Sequence, residues 1–454
     1  MSIQTTMLTQ LYPILVTGIH LHLTPNDSYI FSKNLIIPIN RDAATLLRLS
    51  NGKRSISTIL KTACAENEAN DAETKKNVLA FFIDAEKKGY VILQTKQSSN
   101  SYKIPVTGDF SVFYPYMLSI ELTHQCNLQC AHCYLDAGPG KKPVFIDTNK
   151  LISCLDALHL NGLQIVELTG GEALLHPDFY RILDFCVSKF MWVSVLSNGT
   201  LIGENEARKF AKYKEKISIS ISVDGSTPEI HEKIRRVPGS FHKAVTAIQL
   251  LSKYGMNVRV AMTTTTETVQ DIENTLLLAK KSGASSFNYS STIPFGRGKN
   301  INWNVGKQGS RRIGKLYEKL AYTYPDFLRV YKEDEQYKQE MKRRKNCGAG
   351  YLRITMSPTG ALRPCLLAPQ EWFDMGNILD NSLDDMLTKP LNNFFIHLQK
   401  PNKDLEPCKE CQYKFYCDSC WVRALQKNIS EDLNCPWFRQ SKINKFLKVK
   451  PENK

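Results

Sequence analysis

The sequence predicts an α/β fold whose centre is a partial (β/α)6 barrel. Three observations carry this. From about residue 115 to residue 300, strand-like apolar runs alternate with helix-like stretches, and that alternation gives a parallel sheet with helices outside it. Ahead of it stand about 100 residues with their own strand and helix pattern and no clustered cysteines. Behind it, seven of the chain's 13 cysteines fall between Cys347 and Cys435, which marks a cysteine-rich module. The expected boundaries are 1–100 for the first domain, 112–305 for the barrel, 306–345 for a helical connection and 346–446 for the module.

Composition narrows the class. At 454 residues, with 42% hydrophobic and 23% charged side chains, the chain has the make-up of a globular protein of several domains. It has no apolar run of about 18 residues, so no membrane-spanning helix is expected. The N-terminus lacks a basic segment followed by an apolar run, so a secretory signal is not expected and the cytoplasm is. Thiols stay reduced there, and clustered cysteines then read as metal ligands rather than disulfides. The net charge is +15, yet no nucleic-acid-binding motif accompanies it. The densest basic patch, Lys342-Arg343-Arg344-Lys345, reads as a solvated helix end. Neither nucleic acid nor a membrane is an expected partner.

The first domain has a winged-helix-like pattern. Leu11 to His22 and Tyr29 to Ile39 read as strands, with a turn at Asn26-Asp27. A helix follows over Asn40 to Leu49, opening on capping residues and closing at Asn51-Gly52. A second helix starts at Ser55, a third covers Asp71 to Lys88, and Gly89 to Leu93 returns to a strand. The polar stretch Ser98-Ser99-Asn100-Ser101 fits a linker.

In the barrel the expected strands are Leu118–Thr123, Ile165–Thr169, Trp192–Leu196, Ile217–Val223, Val258–Thr263 and Phe287–Ser290. The expected helices are Asn149–Leu160, Asp178–Lys189, Glu204–Tyr213, Phe241–Tyr254 and Thr268–Lys281. Functional residues in such sheets gather on the loops after the strands. After the first strand come Cys126, Cys130 and Cys133 at C-x3-C-x2-C spacing. Three soft sulfur ligands suit an iron–sulfur cluster or zinc, and a zinc site completed by His124 or His132 stays open at this point. After the second strand comes Thr169-Gly170-Gly171-Glu172. Paired glycines let backbone approach a ligand closely, and the carboxylate beside them suits an ammonium group. Ser197-Asn198-Gly199-Thr200 follows the third strand. Ser222, Asp224-Gly225 and His231 to Arg235 follow the fourth. Gly296-Arg297-Gly298-Lys299, after the sixth, lacks the phosphate-loop spacing and reads as a flexible rim of the site.

In the module the spacing is C-x12-G-x4-C over Cys347, Gly360 and Cys365. Then come Cys408-x2-Cys411-x5-Cys417-x2-Cys420, and Cys435. Four of these, Cys408 to Cys420, would also suit one zinc ion. Cys64, Cys154 and Cys186 stand alone on helical stretches and read as small apolar residues.

Cys126-Asn127-Leu128-Gln129-Cys130-Ala131-His132-Cys133 resembles the cluster motif of the radical S-adenosylmethionine (SAM) family, with His132 in the place of the usual aromatic residue. The later cysteines resemble a SPASM module, apart from x2 rather than x3 between Cys417 and Cys420. The first domain resembles the leader-recognition domain of peptide-modifying members. Glu121-Leu122-Thr123-His124, Cys130 to Leu135, Cys347-Gly348-Ala349-Gly350 and Arg363-Pro364-Cys365 look particularly like the subtilosin-type sactipeptide maturases. The resemblance implies a 4Fe-4S cluster on Cys126, Cys130 and Cys133, with SAM on its open iron. It implies that Gly170, Gly171 and Glu172 contact the SAM amino group, Ser222 and Arg235 its ribose and carboxylate, and Tyr134 with Ala261-Met262 its adenine. One auxiliary cluster would use Cys347, Cys365 and Cys420, and another Cys408, Cys411, Cys417 and Cys435. The implied activity is radical formation of a thioether between a cysteine sulfur and an α-carbon in a precursor peptide. The leader of that peptide adds a strand to the first domain, and a flavodoxin or ferredoxin supplies electrons. Other radical peptide modifications, such as β- or γ-carbon thioethers, carbon–carbon crosslinks and epimerisation, use the same scaffold. A zinc-stabilised or SAM-binding interaction protein is the non-enzymatic alternative.

Overall fold

The computed structural model describes residues 7–25, 27–32, 35–67, 72–99, 103–140, 142–293, 295–301, 306–328, 346–411, 419–431 and 435–448. The basic patch at Lys342 to Lys345 and the ligand candidate Cys417 lie outside them. The chain forms two compact units. One is Met1–Tyr114 with Leu160–Gly162, and the other is Pro115–His159 with Leu163–Lys454.

The first unit contains β1 (Tyr12–Leu15), β2 (His20–Leu23), β3 (Asp27–Ser32), β4 (Leu35–Asn40), β5 (Val91–Gln94) and β6 (Val106–Gly108). Its helices are Arg41–Leu49, Ile56–Asn67 and Ala72–Lys87. The single strand expected over Leu11 to His22 is two strands, interrupted by a turn in which Gly18 takes φ +89°. The strand expected over Tyr29 to Ile39 is the antiparallel pair β3–β4, with Ser32 opposite Leu35. The polar break Ser32-Lys33-Asn34 between the two apolar runs is the sequence signal for that reversal. The first helix starts where the sequence places it, because the Asn40 side chain accepts the Ala43 N–H at 2.9 Å and satisfies one of its free donors. Leu21, Ile30, Leu47, Ile56, Ile59 and Phe82 are fully buried in one core. Strand β6 pairs parallel with β2, Leu21 opposite Val106. The unit therefore runs to Tyr114, past the polar stretch at 98–101.

The second unit is built on β7 (Met117–Glu121), β8 (Ile165–Thr169), β9 (Trp192–Ser197), β10 (Ile217–Ser222), β11 (Asn257–Thr264) and β12 (Ser286–Ser291). They pair in sequence order, all parallel. Helices Thr148–Leu160, Phe179–Lys189, Glu204–Ala211, Ser240–Lys253 and Ile272–Lys281 connect them. Alternation sorts the faces. Ile217, Ile219 and Ile221 are fully buried, and Ile221 lies toward Ala244 and Ala247 of the helix Ser240–Lys253, near Gly199. Ser218, Ser220 and Ser222 face the other way, into the barrel. The same parity puts Val258, Val260 and Met262 of β11 on the helix side. Of the pair expected near adenine, Ala261 alone lies on the inner face.

Two features went unread in the sequence. A helix over Pro228–Arg235 follows β10, with Thr227 accepting the Ile230 N–H at 3.4 Å. The barrel sheet is also longer than six strands: β13 (Arg353–Met356) adds parallel to β7, and β14 (Leu362–Arg363) adds antiparallel to β13. The cysteine-rich module thus extends the barrel sheet directly. The helical connection begins as Gly306–Thr323. Among the described residues no helix is long and apolar enough to cross a membrane.

Candidate active site

Cys126, Cys130 and Cys133 lie on the loop after β7. The first two are buried and the third half-buried. Each sulfur has a donor: the Leu128 N–H reaches Cys126 Sγ at 3.4 Å, the Ala137 N–H reaches Cys133 Sγ at 3.3 Å, and the Arg235 guanidinium reaches Cys130 Sγ at 3.6 Å. The Asn198 amide approaches Cys126 Sγ at 3.9 Å. Burial pushes the Cys126 thiol up to about 12. It also raises the Cys130 thiol, against the pull of Arg235. The three sulfurs are close enough to oppose one another's ionisation. Three thiols with N–H donors aimed at them form a donor set for an electron-rich sulfur centre, since such bonds stabilise charge on ligand sulfur.

Gly170 and Gly171 follow β8, and the close approach they permit is to protein backbone. A Cβ on Gly170, which takes φ +146°, would lie 2.4 Å from the Thr123 carbonyl, and one on Gly171 would lie 2.3 Å from that of Gln125. The Gly171 and Glu172 N–H groups donate to those same carbonyls at 2.7 and 2.9 Å. The pair therefore locks the second loop onto the chain leading into Cys126. Glu172 is buried and accepts from Ser197 Oγ at 2.9 Å, the Asn198 N–H at 2.8 Å and the Leu174 N–H at 3.3 Å. Burial raises its carboxyl pKa, partly offset by these donors. Ser222 ends β10 on the inner face, opposite Ala261.

Asp224 organises the fourth loop. It is fully buried, ion-paired with Arg235 Nε at 2.6 Å and with His132 Nε2 at 2.7 Å, and it accepts the Thr263 N–H at 2.8 Å. Burial alone would raise its pKa, but Arg235 and His132 outweigh that and hold it well below the usual carboxylate range. His132, one residue before Cys133, is thereby tied to the end of β10. Arg235 spans Asp224 and Cys130.

Gly296 to Lys299, expected as a rim of the site, is bonded to the cysteine loop. The Arg297 guanidinium donates to the Cys130 carbonyl at 2.8 Å, to Asp136 at 2.8 Å and to the Ala137 carbonyl at 2.6 Å, while its backbone N–H donates to the Cys133 carbonyl at 2.9 Å. Gly296 takes φ +55°, and a Cβ there would lie 2.4 Å from that same carbonyl. The segment clamps the cysteine loop from above. The glycines and the arginine were legible; their target was not.

Tyr134 donates its hydroxyl to Glu121 at 3.1 Å. Glu121 also accepts from Arg363 on β14 and pairs with His124 at 3.1 Å. In the module, Cys347, Cys365 and Cys420 oppose one another's ionisation, which places them together; burial pushes the Cys365 thiol up to about 12. Cys408 and Cys411 share a turn, the Cys411 N–H donating to the Cys408 carbonyl at 3.1 Å. Cys435 caps the helix Pro436–Ser441. Cys186 is a buried, free cysteine on its helix.

Residues 120–279 match the model of the radical SAM superfamily, and residues 347–412 match that of the SPASM iron–sulfur cluster-binding domain. The chain carries a radical SAM domain and a SPASM domain. It is 29% identical over 453 residues to the antilisterial bacteriocin subtilosin biosynthesis protein AlbA of Bacillus subtilis, covering 97% of this chain and 99% of that one. It is 26% identical to the sporulation killing factor maturation protein SkfB of the same organism, over 62% of this chain and 67% of the other. Among solved structures, Streptococcus suis SuiB bound to S-adenosylmethionine superposes with a TM-score of 0.62 at 17% identity, covering 91% of this chain and 96% of that one. The anSMEcpe structure with bound AdoMet and a peptide gives 0.55 at 20% identity, over 72% and 94%. The cofactors are SAM, a 4Fe-4S cluster that binds it, and auxiliary iron–sulfur clusters. The residues present fit them: the first loop offers three thiols, each with its own donor. In the module, Arg363 Nε and Trp421 Nε1, close in sequence to Cys365 and Cys420, are buried without a hydrogen-bond partner among the described residues.

Proposed function

We propose that this radical SAM enzyme joins a cysteine sulfur to the α-carbon of another residue within a ribosomally made precursor peptide. The observation that carries this reading is the similarity to the subtilosin biosynthesis protein, which runs almost end to end in both chains and so takes in both compact units. With its cluster bound, SAM supplies a 5′-deoxyadenosyl radical able to take a hydrogen atom from an unactivated carbon. Cys126, Cys130 and Cys133 would hold that cluster. Arg297 and the Gly170-Gly171 pair hold the loop that carries them. Glu172, Ser222, Arg235 and Tyr134 would receive SAM. For Glu172 this means turning its buried carboxylate toward an ammonium group, which then stabilises its charged form.

The bond balance needs an electron exit. The α-carbon gives up a hydrogen atom, the substrate thiol gives up a proton, and one electron is left over once sulfur and carbon join. Cys347, Cys365 and Cys420, with three sulfurs for one auxiliary cluster, would leave an iron free for the substrate thiolate. Cys408, Cys411, Cys417 and Cys435 would hold a fully ligated cluster suited to electron transfer. A flavodoxin or ferredoxin closes the electron circuit. In the first unit, β4 and β6 are the edge strands of the β4-β3-β2-β6 sheet, and a leader peptide would add to one of them as a further strand.

The test is co-expression with the precursor peptide followed by mass spectrometry. The expected product has lost two hydrogens per crosslink, resists alkylation at the crosslinked cysteines, and fragments with sulfur on an α-carbon. Sulfur on a β- or γ-carbon, a carbon–carbon bond, or unchanged mass with deuterium incorporated from heavy water would overturn the α-thioether. Alanine at Cys126, Cys130 and Cys133 is expected to abolish SAM cleavage.

A further inference from the structure

The cysteine loop of the barrel and the cysteines of the module meet through one buried ion pair. Glu121 is the last residue of β7, five positions before Cys126, and is 0% exposed. Arg363 is the last residue of β14, two positions before Cys365, and is 3% exposed. Their side chains are in direct contact. On the barrel side, Tyr134 adjoins Cys133 and donates its hydroxyl to the same carboxylate oxygen of Glu121. On the module side, the Cys365 sulfur acts electrostatically on the Arg363 guanidinium. Arg363 Nε is buried with no hydrogen-bond partner among the described residues. The result is a chain of neighbours: Tyr134 and Arg363 both bond to Glu121, Tyr134 follows Cys133 in sequence, and Arg363 reaches Cys365 electrostatically.

We propose that Glu121 and Arg363 are a positioning pair that sets the reduction potential of the auxiliary centre at Cys365 and couples it to the first cysteine loop. Reducing an iron–sulfur centre adds negative charge, and nearby charge and hydrogen bonds to sulfur tune how readily that happens. A guanidinium beside Cys365 favours the reduced form. Glu121 lies behind it, anchors it, and cancels part of its charge. Both groups are shielded from water, so screening is weak. Neither touches substrate in this role. The pair makes the auxiliary centre an acceptor for the electron left over when carbon and sulfur join. The inference takes its purpose from the proposed reaction, but its measurement does not depend on it.

The experiment is an EPR-monitored redox titration of the holoenzyme without peptide, with SAM bound so that the signal of the first cluster is displaced from that of the auxiliary centre. Glu121→Gln keeps an oxygen for the Tyr134 hydroxyl but removes the negative charge, and is expected to shift the auxiliary potential upward. Arg363→Gln is expected to shift it downward. The double variant leaves no uncompensated charge and is expected to hold its iron, with a potential between those of the two single variants. Opposite shifts with full iron content support the pair's role. Equal potentials in all four proteins, or shifts of the same sign in both single variants, overturn it. Product linkage is read separately on peptide. An α-thioether with unmoved potentials sinks this inference alone, and opposite shifts with a different product sink only the proposed reaction.

Discussion

The two cysteine centres are built in opposite ways. The three cysteines of the barrel sit within eight residues of one loop, two of them buried. Neighbouring loops bond that loop in place: Gly170 and Gly171 press on its approach, Asp224 holds His132, and Arg297 bonds to Cys130, Asp136 and Ala137. The module gathers its cysteines from separate segments spread over 89 residues, and Cys347 is exposed. Bonds from neighbouring loops hold the first site, whereas the Cys365 and Cys420 sulfurs of the module accept N–H groups, among the described residues, only from their own segments, Leu367 and Ala368 for the one, Val422 and Arg423 for the other. The second depends far more on the metal to tie its segments together, because a ligand that binds only the assembled state contributes its binding energy to folding.

The sharpest way to break this contrast is to add one methyl group to the barrel loop. Gly171→Ala puts a carbon 2.3 Å from the Gln125 carbonyl. Backbone has to move, at a cost of about 3 kcal/mol or more. The variant is expected to lose the SAM-dependent EPR signal of the first cluster while keeping its auxiliary iron. Equal loss of both would show that the centres are not built independently. Next in size is the clamp. Arg297→Ala removes three charge-assisted bonds and is expected to cost about 3 kcal/mol in thermal unfolding. Arg297→Lys recovers only part of this, since an ammonium cannot reproduce the planar fork. Full rescue by lysine would mean that charge, not bond geometry, holds the loop.

Iron removal probes the other side. Chelation of the holoenzyme is expected to open residues 346–448 to proteolysis while the barrel strands stay protected, as followed by mass spectrometry of the fragments. Uniform resistance would mean that the module holds together without metal. The smallest effect is on thiol reactivity. With burial holding the Cys126 thiol up to about 12, it stays protonated at neutral pH in the metal-free protein, so its alkylation is slow there and speeds up as pH rises toward 12. The folded value lies above the ordinary thiol value near 9, so the stabilisation is fully present below that value and fades as pH climbs through the interval to 12. Cys347, exposed, is expected to be alkylated far sooner at neutral pH. Equal rates at the two positions would contradict the burial of the first loop.

Much of this was legible in the chain. The alternation of strand-like runs with amphipathic stretches determined a parallel sheet with helices outside, because parallel neighbours need a long crossover between them, usually a helix. The spacing of Cys126, Cys130 and Cys133 determined that three sulfurs would share one loop, and the paired glycines after β8 determined a tight turn beside it. The ends of the six barrel strands were read within about a residue or two, while in the first unit two expected strands each proved to be a pair. Only the tertiary structure decided what those glycines touch, that Arg297 clamps the cysteine loop, and that Asp224 holds both His132 and Arg235. It alone showed β13 joining β7 and bringing Arg363 to Glu121. These partners lie between 11 and 242 positions apart. Local pattern reports which face a side chain takes and how the chain turns. Which distant carbonyl or carboxylate meets it depends on how the sheet closes, and that is a property of the packed molecule rather than of any stretch of sequence.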